Sequence, residues 1–272
     1  MFPLAEKMLI ALKGDDNVLV KLLPNHYQYK PGTYRVFTKQ GARFKVDLSD
    51  WMGYAAYFNM KIEWYDTLFS LVKPGMVILD IGANIGFTAL NMAKLAKDKG
   101  IVYAFEPDEY NHKALLHNLQ MNAGLNVKPV KLGLGNTTAQ LKLSINEGNR
   151  GINKITESVT EGKYGVVNIV KLDDFVTDTR INKIDLIKID TEGYEVNILK
   201  GAEKTLLKFK PVLFIEIDEE HLVEQHSSAK DTIAYIKSLG YEITSDKTGK
   251  VVDVNDDFIN CHFDVICRAV VA

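Results

Sequence analysis

The pattern of apolar and polar positions changes character near Pro74. Residues 35–50, "RVFTKQGARFKVDLSD", alternate apolar and polar side chains around Gln40, which is typical of a β-hairpin. Residues 55–72, "AAYFNMKIEWYDTLFSLV", then space their apolar side chains as an amphipathic helix does, and Pro74 ends that helix because proline cannot continue it. The first 17 residues fit a further amphipathic helix better than a signal peptide. We therefore predict a small α+β extension over residues 1–73 that caps the site.

From Met76 onwards, short apolar runs alternate with helical patterns. The runs "VILDIG", "IVYAFEP", "VKPVKLGLG", "DLIKID" and "VLFIEID" are separated by stretches with helical spacing. Such runs predict an α/β fold with a mostly parallel sheet covered by helices on both faces. Pro129 in the third run indicates an edge strand or an irregularity. Residues 74–272 are thus expected to form the main domain, with two extra strands around a polar insert near 144–166.

The turn after the first predicted strand, "VILDIGANIGFTAL", carries the most informative motif. A plain strand-to-helix turn and a dinucleotide-binding turn are the alternatives, but G-A-N-I-G is not the G-x-G-x-x-G of the latter. Asp80 precedes Gly82, where its carboxylate would repel a pyrophosphate and would suit the ammonium and sulfonium of S-adenosylmethionine. Glu106 follows Gly82 by 24 residues, near the spacing at which an acidic side chain binds a ribose diol. The pattern therefore favours S-adenosylmethionine over a nicotinamide cofactor.

At this point the chain resembles the FkbM-type S-adenosylmethionine-dependent methyltransferases. The matching segments are "LDIGANIGFTAL", "AFEPDEYNHKALLHNLQMN", "VKLDDFV" and "DLIKIDTEGYEVNILKGAEKTL". With the upstream "KVDLSD", the resemblance covers roughly residues 34–220. It implies a class I methyltransferase (Rossmann-like) fold and methyl transfer to a hydroxyl of a sugar, glycan or other small metabolite. The stretch "NMKIEW" and the polar insert depart from the family and leave the acceptor open.

The acidic stretch "KIDTEGYE" supplies the candidate catalytic residues. Asp190 is expected to end the fourth strand, beside the first, with Glu192 two residues later and Glu216 at the end of the fifth strand. A carboxylate there can accept the proton of an acceptor hydroxyl, and repulsion between carboxylates raises the pKa of one of them. The alternative is that Asp190 and Thr191 only cap the following helix.

The predicted cofactor contacts lie in the turns after the first, second and third strands and at the end of the fourth. They are Asp80, Gly82, Asn84, Gly86, Glu106, Pro107, Asp108, Gly133, Leu134, Gly135 and Asp190. No metal is expected, because no His or Asn completes an obvious ligand set, although clustered carboxylates hold Mg²⁺ in some methyltransferases.

Several other residues have both a functional and a structural interpretation. His221 is a second candidate base or a surface helix residue, and Arg150 and Lys154 meet an anionic acceptor or lie in a solvated loop. Tyr57 and Phe58 cover the cofactor or pack in a core. For each of these residues except Tyr57, we favour the structural interpretation.

Composition narrows the function further. The formal net charge of the 272 residues is −2, and no long basic run is present, so no nucleic-acid partner is expected. RNA ribose methylation and a cofactor-binding protein without catalysis remain the alternative functions. Cys261 and Cys267 are too far apart along one predicted strand to form a disulfide, which favours a reducing compartment, and no run is long enough to span a membrane. We expect a cytoplasmic protein of undetermined oligomeric state.

Overall fold

A computed structural model describes residues 24–58, 60, 64–156 and 162–270 of the chain. The predicted N-terminal helix lies outside the described residues. The strands are β1 (Tyr34–Lys39), β2 (Ala42–Asp47), β3 (Val77–Ile81), β4 (Ile101–Phe105), β5 (Val127–Val130), β6 (Gly133–Leu134), β7 (Ala139–Ile145), β8 (Lys154–Thr156), β9 (Lys163–Val170), β10 (Leu186–Ile189), β11 (Val212–Asp218), β12 (Tyr241–Ser245) and β13 (His262–Ala269).

The α-helices lie mainly between the strands of the central sheet. They are α1 (Trp51–Tyr57), α2 (Trp64–Leu71), α3 (Phe87–Ala96), α4 (Glu109–Gln120), α5 (Leu172–Asp178), α6 (Glu195–Gly201), α7 (Glu203–Phe209), α8 (Glu219–Glu224) and α9 (Ala229–Ser238). Among the residues that the structure describes, every helix is too short or too polar to cross a lipid bilayer.

The central sheet has seven strands in the order β12-β13-β11-β10-β3-β4-β5. Strand β13 runs antiparallel to both of its neighbours, and the pairs from β11 to β5 are all parallel. This order, with its reversal between β3 and β10, confirms the predicted class I methyltransferase, Rossmann-like fold. Strand β5 contains Pro129 and, among the described residues, pairs with β4 alone at the end of the sheet, so of the two alternatives at Pro129 the edge strand is observed.

Two apolar cores cover the two faces of the sheet. One core joins the sheet to α5, α6, α7 and α9, through buried residues such as Val196, Leu199 and Ile233. The other joins it to α3 and α4 and also takes in the hairpin and the helices of the extension, including Phe44 and Phe58. The extension therefore shares a core with the main sheet, and the predicted boundary at residue 73 remains a prediction.

The extension contains the predicted β-hairpin, β1 and β2, but the single helix predicted over residues 55–72 is wrong. Helix α1 ends at Tyr57, and α2 begins at Trp64. Phe58 follows the end of α1, with its ring 4.8 Å from that of Tyr54, and Tyr65 of α2 packs 4.9 Å from the Phe87 ring of α3. The described residues therefore form two short helices, of which the second packs on α3.

The predicted extra strands form a second, four-stranded sheet with the order β6-β9-β7-β8. Strands β7 and β9 flank the polar insert, as the sequence predicts, and residues 157–161 lie outside the described part. A 3₁₀ turn at Arg150–Ile152 lies between β7 and β8. The insert is therefore partly ordered secondary structure and not only a solvated loop.

Candidate active site

A cleft of about 320 Å³ opens at the carboxyl ends of β3, β4, β10 and β11. Ligands of doubly wound sheets bind at this edge, where the order of the strands reverses. The turn after β3, Glu106 after β4 and the loop after β10 form its floor. Helix α1, through Trp51 and Met52, and the insert around Arg150 form the opposite rim.

The turn after β3 runs unusually close to β10. Gly82 has a φ of +79°, and a Cβ at this position would overlap the carbonyl oxygen of Asp190. Only glycine satisfies both conditions without strain. The N–H groups of Gly82 and Ala83 donate to the Phe105 carbonyl at 3.1 and 2.9 Å, which fixes the turn against β4. Its backbone is thereby presented to the cleft with no side chain at Gly82.

Glu106 closes the cleft at the end of β4. Its side chain accepts hydrogen bonds from the Asn84 N–H at 2.8 Å and from the Asp108 N–H at 2.9 Å, one on each carboxyl oxygen. Glu106 is 6% exposed, and burial raises its pKa to about 8 against the opposing effect of these hydrogen bonds. Each oxygen retains a lone pair for a ligand hydroxyl.

Lys188 links the cofactor turn to the candidate base. Its Nζ donates to the Gly82 carbonyl at 3.0 Å and lies 3.0 Å from Asp190 Oδ2 and 3.7 Å from Asp80 Oδ1. The Lys188 side chain is 2% exposed; burial alone lowers its pKa, but the charges of Asp190 and Asp80 outweigh that effect and raise it. Asp80 is fully buried and also accepts a hydrogen bond from Thr88 Oγ1 at 2.6 Å. The negative charge of Asp80 is therefore paired with Lys188 and does not face a ligand.

The loop after β10 separates Asp190 and Thr191 from the start of the next helix. Helix α6 begins at Glu195, and the residue at its N-cap is Tyr194, so the capping interpretation is excluded. Glu192 and Gly193 have φ values of +58° and +100°. A left-handed conformation costs energy at a non-glycine residue, and such strain is concentrated at functional sites.

A buried carboxylate holds this loop in place. Glu195 is 2% exposed, and its Oε1 accepts hydrogen bonds from the Thr191 N–H and Oγ1, both at 2.9 Å, and from the Gly193 N–H at 3.3 Å. Burial raises the pKa of Glu195 to about 7. The loop conformation that presents Asp190 and Glu192 to the cleft is thus set by Glu195.

The structure brings the three candidate catalytic carboxylates together. One oxygen each from Asp190, Glu192 and Glu216 lies within 4.8 Å of the other two. Burial, followed by the charges of Asp190 and Glu192, raises the pKa of Glu216 well above its usual value. Burial also raises the pKa of Glu192, although His221, whose Nδ1 lies 2.7 Å from Glu192 Oε2, opposes the shift.

The rim of the cleft joins two distant parts of the chain. Asp50 caps α1 by accepting from the Met52 and Gly53 N–H groups, and its other oxygen accepts from the Arg150 N–H at 2.7 Å. The Arg150 side chain is 14% exposed and lies 4.1 Å over the Tyr110 ring. The extension and the insert therefore form one connected wall.

Most of the predicted site residues line the cleft, and four of them do not. The predicted residues that do not line the cleft are Asp80, Gly86, Asp108 and Gly135. Asp108, for example, caps α4 by accepting hydrogen bonds from the Tyr110 and Asn111 N–H groups. Those that do line it are Gly82, Asn84, Glu106, Pro107, Gly133, Leu134, Asp190, Glu192 and Glu216.

The structure also shows where the residues with two interpretations lie. Phe58 and Tyr57 are buried in the core, as favoured for Phe58, and Lys154 pairs with Glu224. Arg150 lines the cleft instead of lying in a solvated loop, and His221 contacts Glu192 instead of facing solvent alone.

Sequence reasoning missed Lys188 and Glu195. A signal for Lys188 was present, because a lysine between isoleucines of a strand buried on both faces must find carboxylate partners. Glu195 carried no comparable signal, since a glutamate in the first turn of a helix is usually explained by the helix dipole.

Comparison with known proteins gives a family match and several distant relatives. The sequence model described as "Methyltransferase FkbM domain" matches residues 80–243. The hexuronic acid methyltransferase AglP of Haloferax volcanii is 28% identical over 131 residues, which are 48% of this chain and 51% of that protein. The 2-O-methyltransferase NoeI of Sinorhizobium fredii is 26% identical over 167 residues, 57% of this chain and 68% of that protein.

A solved structure, that of methyltransferase FkbM from Methylobacillus flagellatus, aligns with a TM-score of 0.47 at 18% identity. The alignment covers 78% of this chain and 51% of that chain. The chain spans about half the length of AglP.

Proposed function

This chain belongs to the FkbM methyltransferase family, and from that premise we propose that it transfers a methyl group from S-adenosylmethionine to a hydroxyl oxygen. The observation that carries the proposal is the meeting of two features in one cleft. A glycine turn and a buried glutamate, Gly82 and Glu106, form one end, and three carboxylates form the other.

The cofactor end fits S-adenosylmethionine. Gly82 lines the cleft with its backbone, because its φ of +79° and its close contact with the Asp190 carbonyl exclude a side chain, and the Glu106 carboxyl oxygens can accept hydrogen bonds from the ribose hydroxyls. Gly133 and Leu134 also line the cleft, and we propose that this small residue and this apolar residue border the adenine. The sulfonium would then face the carboxylate end, which suits its positive charge. A pyrophosphate in the position of the sulfonium would meet the negative charges of the carboxylate end, which disfavours a nicotinamide dinucleotide.

The carboxylate end supplies the remaining requirements of the reaction. When bound, S-adenosylmethionine supplies a methyl group on a sulfonium, which leaves as the neutral thioether of S-adenosylhomocysteine. The acceptor hydroxyl must lose its proton, and Asp190 or Glu192 is placed to accept it. Lys188 holds one oxygen of Asp190, which fixes the orientation of that carboxylate toward the cleft. Positioning of this kind supplies much of the rate acceleration.

The acceptor is proposed to be a sugar, a glycan or another small metabolite with hydroxyl groups. The relatives AglP and NoeI are named for hexuronic acid methylation and 2-O-methylation. Carboxylates such as Glu192 and Glu216 suit the hydroxyl donors of a sugar, and the rim residue Trp51 offers an aromatic face to an apolar sugar surface. The extension over residues 1–73 is proposed to cap this end of the cleft.

A screen of acceptors tests the proposal. The full chain is incubated with S-adenosylmethionine and a panel of sugars, glycosides and uronic acids, and release of S-adenosylhomocysteine is measured. We expect release with at least one hydroxyl acceptor. Binding of S-adenosylmethionine without turnover on any acceptor would instead support a cofactor-binding protein without catalysis, and turnover on an RNA ribose would overturn the choice of a small acceptor.

A further inference from the structure

The three carboxylates of the cleft belong to a longer acidic row across the sheet. Ile189 pairs with Ile215 in the parallel register of β10 and β11, so the next residues, Asp190 and Glu216, lie side by side. Glu216 in turn pairs directly with Asp264 of antiparallel β13. Directly paired residues point to the same face of a sheet, so the Asp264 side chain is directed to the face that carries Glu216.

Asp264 makes no close contact with a group of opposite charge among the described residues, although the charges of Lys188 and Lys247 act on it from farther away. It is 6% exposed, and its carboxylate makes no hydrogen bond or ion pair with any of the residues that the structure describes. Buried carboxylates in proteins are ordinarily paired or coordinate a metal. This unpaired side chain, next to three further carboxylates, therefore points to a positively charged ligand at this end of the sheet.

Lys188 does not neutralise the row. Its single positive charge lies between Asp80 and Asp190, and it contacts only one oxygen, Oδ2, of the latter. The fully buried Asp80 alone requires one positive charge. Glu192 and Glu216 each lie beside an imidazole, that of His221 or His262, and the charges of Lys188 and Lys247 act on Asp264 from farther away.

Each of the three clustered carboxylates has one oxygen held from outside the cluster. Lys188 holds Asp190 Oδ2, the His221 ring lies 2.7 Å from Glu192 Oε2, and the His262 ring lies 3.1 Å from Glu216 Oε1. Within the described part of the chain, the second oxygen of each carboxylate makes no hydrogen bond or ion pair. This is the arrangement of ligating carboxylates whose outer contacts fix their orientation.

We propose that Asp190, Glu192 and Glu216 bind one divalent cation of the Mg²⁺, Mn²⁺ or Ca²⁺ class. Such hard cations prefer oxygen ligands, and ligands on opposite sides of the ion lie about 4.2 Å apart for Mg²⁺ and about 4.8 Å apart for Ca²⁺. The three carboxylate atoms lie within 4.8 Å of one another, so one such ion could contact all three. Asp264, when ionised, adds to the attraction, and this proposal departs from the expectation from sequence that no metal is bound.

The role of the ion rests on the proposed function, whereas its binding does not. An ion at this position would meet the acceptor oxygens, favour an acceptor with neighbouring hydroxyls and lower the pKa of the hydroxyl that is methylated. A carboxylate that ligates a metal is a weak base. His221, beside Glu192, then becomes the group nearest to the cluster that can take the proton.

Manganese binding to the full chain tests the site without any turnover. The protein is treated with EDTA, dialysed and titrated with Mn²⁺, and the free ion is measured by electron paramagnetic resonance. We expect one Mn²⁺ per chain, displaced by Mg²⁺ or Ca²⁺. Glu216→Gln and Asp264→Asn should each weaken binding by about tenfold or more. Glu242→Gln, the same change at an exposed residue of β12, should leave binding unchanged.

The outcomes separate this inference from the proposed function. No stoichiometric Mn²⁺, or binding that neither Glu216→Gln nor Asp264→Asn weakens, overturns the metal site. The same EDTA-treated protein is also titrated with S-adenosylmethionine. Cofactor binding without Mn²⁺ binding overturns the metal site alone, whereas Mn²⁺ binding without cofactor binding leaves the metal site standing and overturns the proposed function.

Discussion

The two ends of the cleft satisfy their polar groups in different ways. At the cofactor end, backbone N–H groups from the adjacent turns hold both oxygens of Glu106. At the acceptor end, Asp190, Glu192 and Glu216 each have a single held oxygen, and Glu192 has a left-handed backbone conformation. The cofactor end is shaped by local backbone and the acceptor end by long-range register and charge. Substitutions should therefore affect binding at the first end and turnover or stability at the second.

The largest effect is expected from amide substitutions at the acceptor end. Asp190→Asn and Glu192→Gln keep the shape of each side chain but remove its ability to take a proton or to carry a full charge. At least one should reduce turnover by about 10²–10⁴-fold, with the melting temperature nearly unchanged and S-adenosylmethionine affinity within a few-fold. Glu220→Gln, at an exposed residue of α8, is the matched control. If both amides turned over like the parent, the catalytic role of these carboxylates would be wrong.

Lys188→Met tests the link between the two ends. It removes the cation between Asp80 and Asp190 and leaves a fully buried carboxylate unpaired, so the free energy of unfolding should fall by about 3–5 kcal/mol. Denaturant unfolding measures this loss. Adding Asp80→Asn removes the unpaired charge and should recover part of the stability. A loss below about 1 kcal/mol would show that the buried pair is not formed.

Glu106→Ala tests the cofactor end. It should weaken S-adenosylmethionine binding by about 1.5–3 kcal/mol, as loss of hydrogen bonds to a charged group does, whereas Glu109→Ala at an exposed neighbour should not. Because the pKa of Glu106 is raised to about 8, the free protein carries a neutral carboxyl at pH 6 and an ionised one above pH 8. Affinity should therefore rise with pH through about 8 and level off above that value. Equal affinity at pH 6 and pH 9 would contradict this role.

The smallest effect is expected at the rim. Asp50→Ala removes the cap of α1 and the contact with the Arg150 N–H, and should cost about 0.5–2 kcal/mol of stability. Ser228→Ala removes a similar cap from α9, away from the cleft. Both should lower the melting temperature by similar amounts, but only Asp50→Ala should raise the KM for the acceptor. A raised KM in both variants would mean that the rim does not shape the acceptor end.

The same contrast explains what the sequence could predict. Local patterns identified the alternation of strands and helices, the glycine turn and Glu106, because each depends on neighbours in sequence. The meeting of Asp190 with Glu216 followed from the expected strand order. The partners of Asp80 and the unpaired Asp264 could not be predicted, because they depend on the register of β10, β11 and β13 across long sequence separations.

The break between α1 and α2 shows a second limit of sequence reasoning. The apolar spacing of residues 55–72 fits one helix. Such periodicity indicates which side chains are buried, but it does not indicate which neighbouring element they pack against. Helix α1 ends before Phe58, and Tyr65 of α2 packs on Phe87 of α3, so the described chain forms two helices. Apolar spacing alone does not locate such a break.

Calorimetric titration of the parent protein with S-adenosylmethionine tests the central claim most directly. NAD is titrated in parallel as the competing dinucleotide, at pH 8, where the Glu106 carboxyl is at least partly ionised. The account predicts one site that binds S-adenosylmethionine and its product S-adenosylhomocysteine, with much weaker or undetectable binding of NAD. No binding of S-adenosylmethionine, or tighter binding of NAD, would contradict the cofactor assignment and with it the proposed methyl transfer.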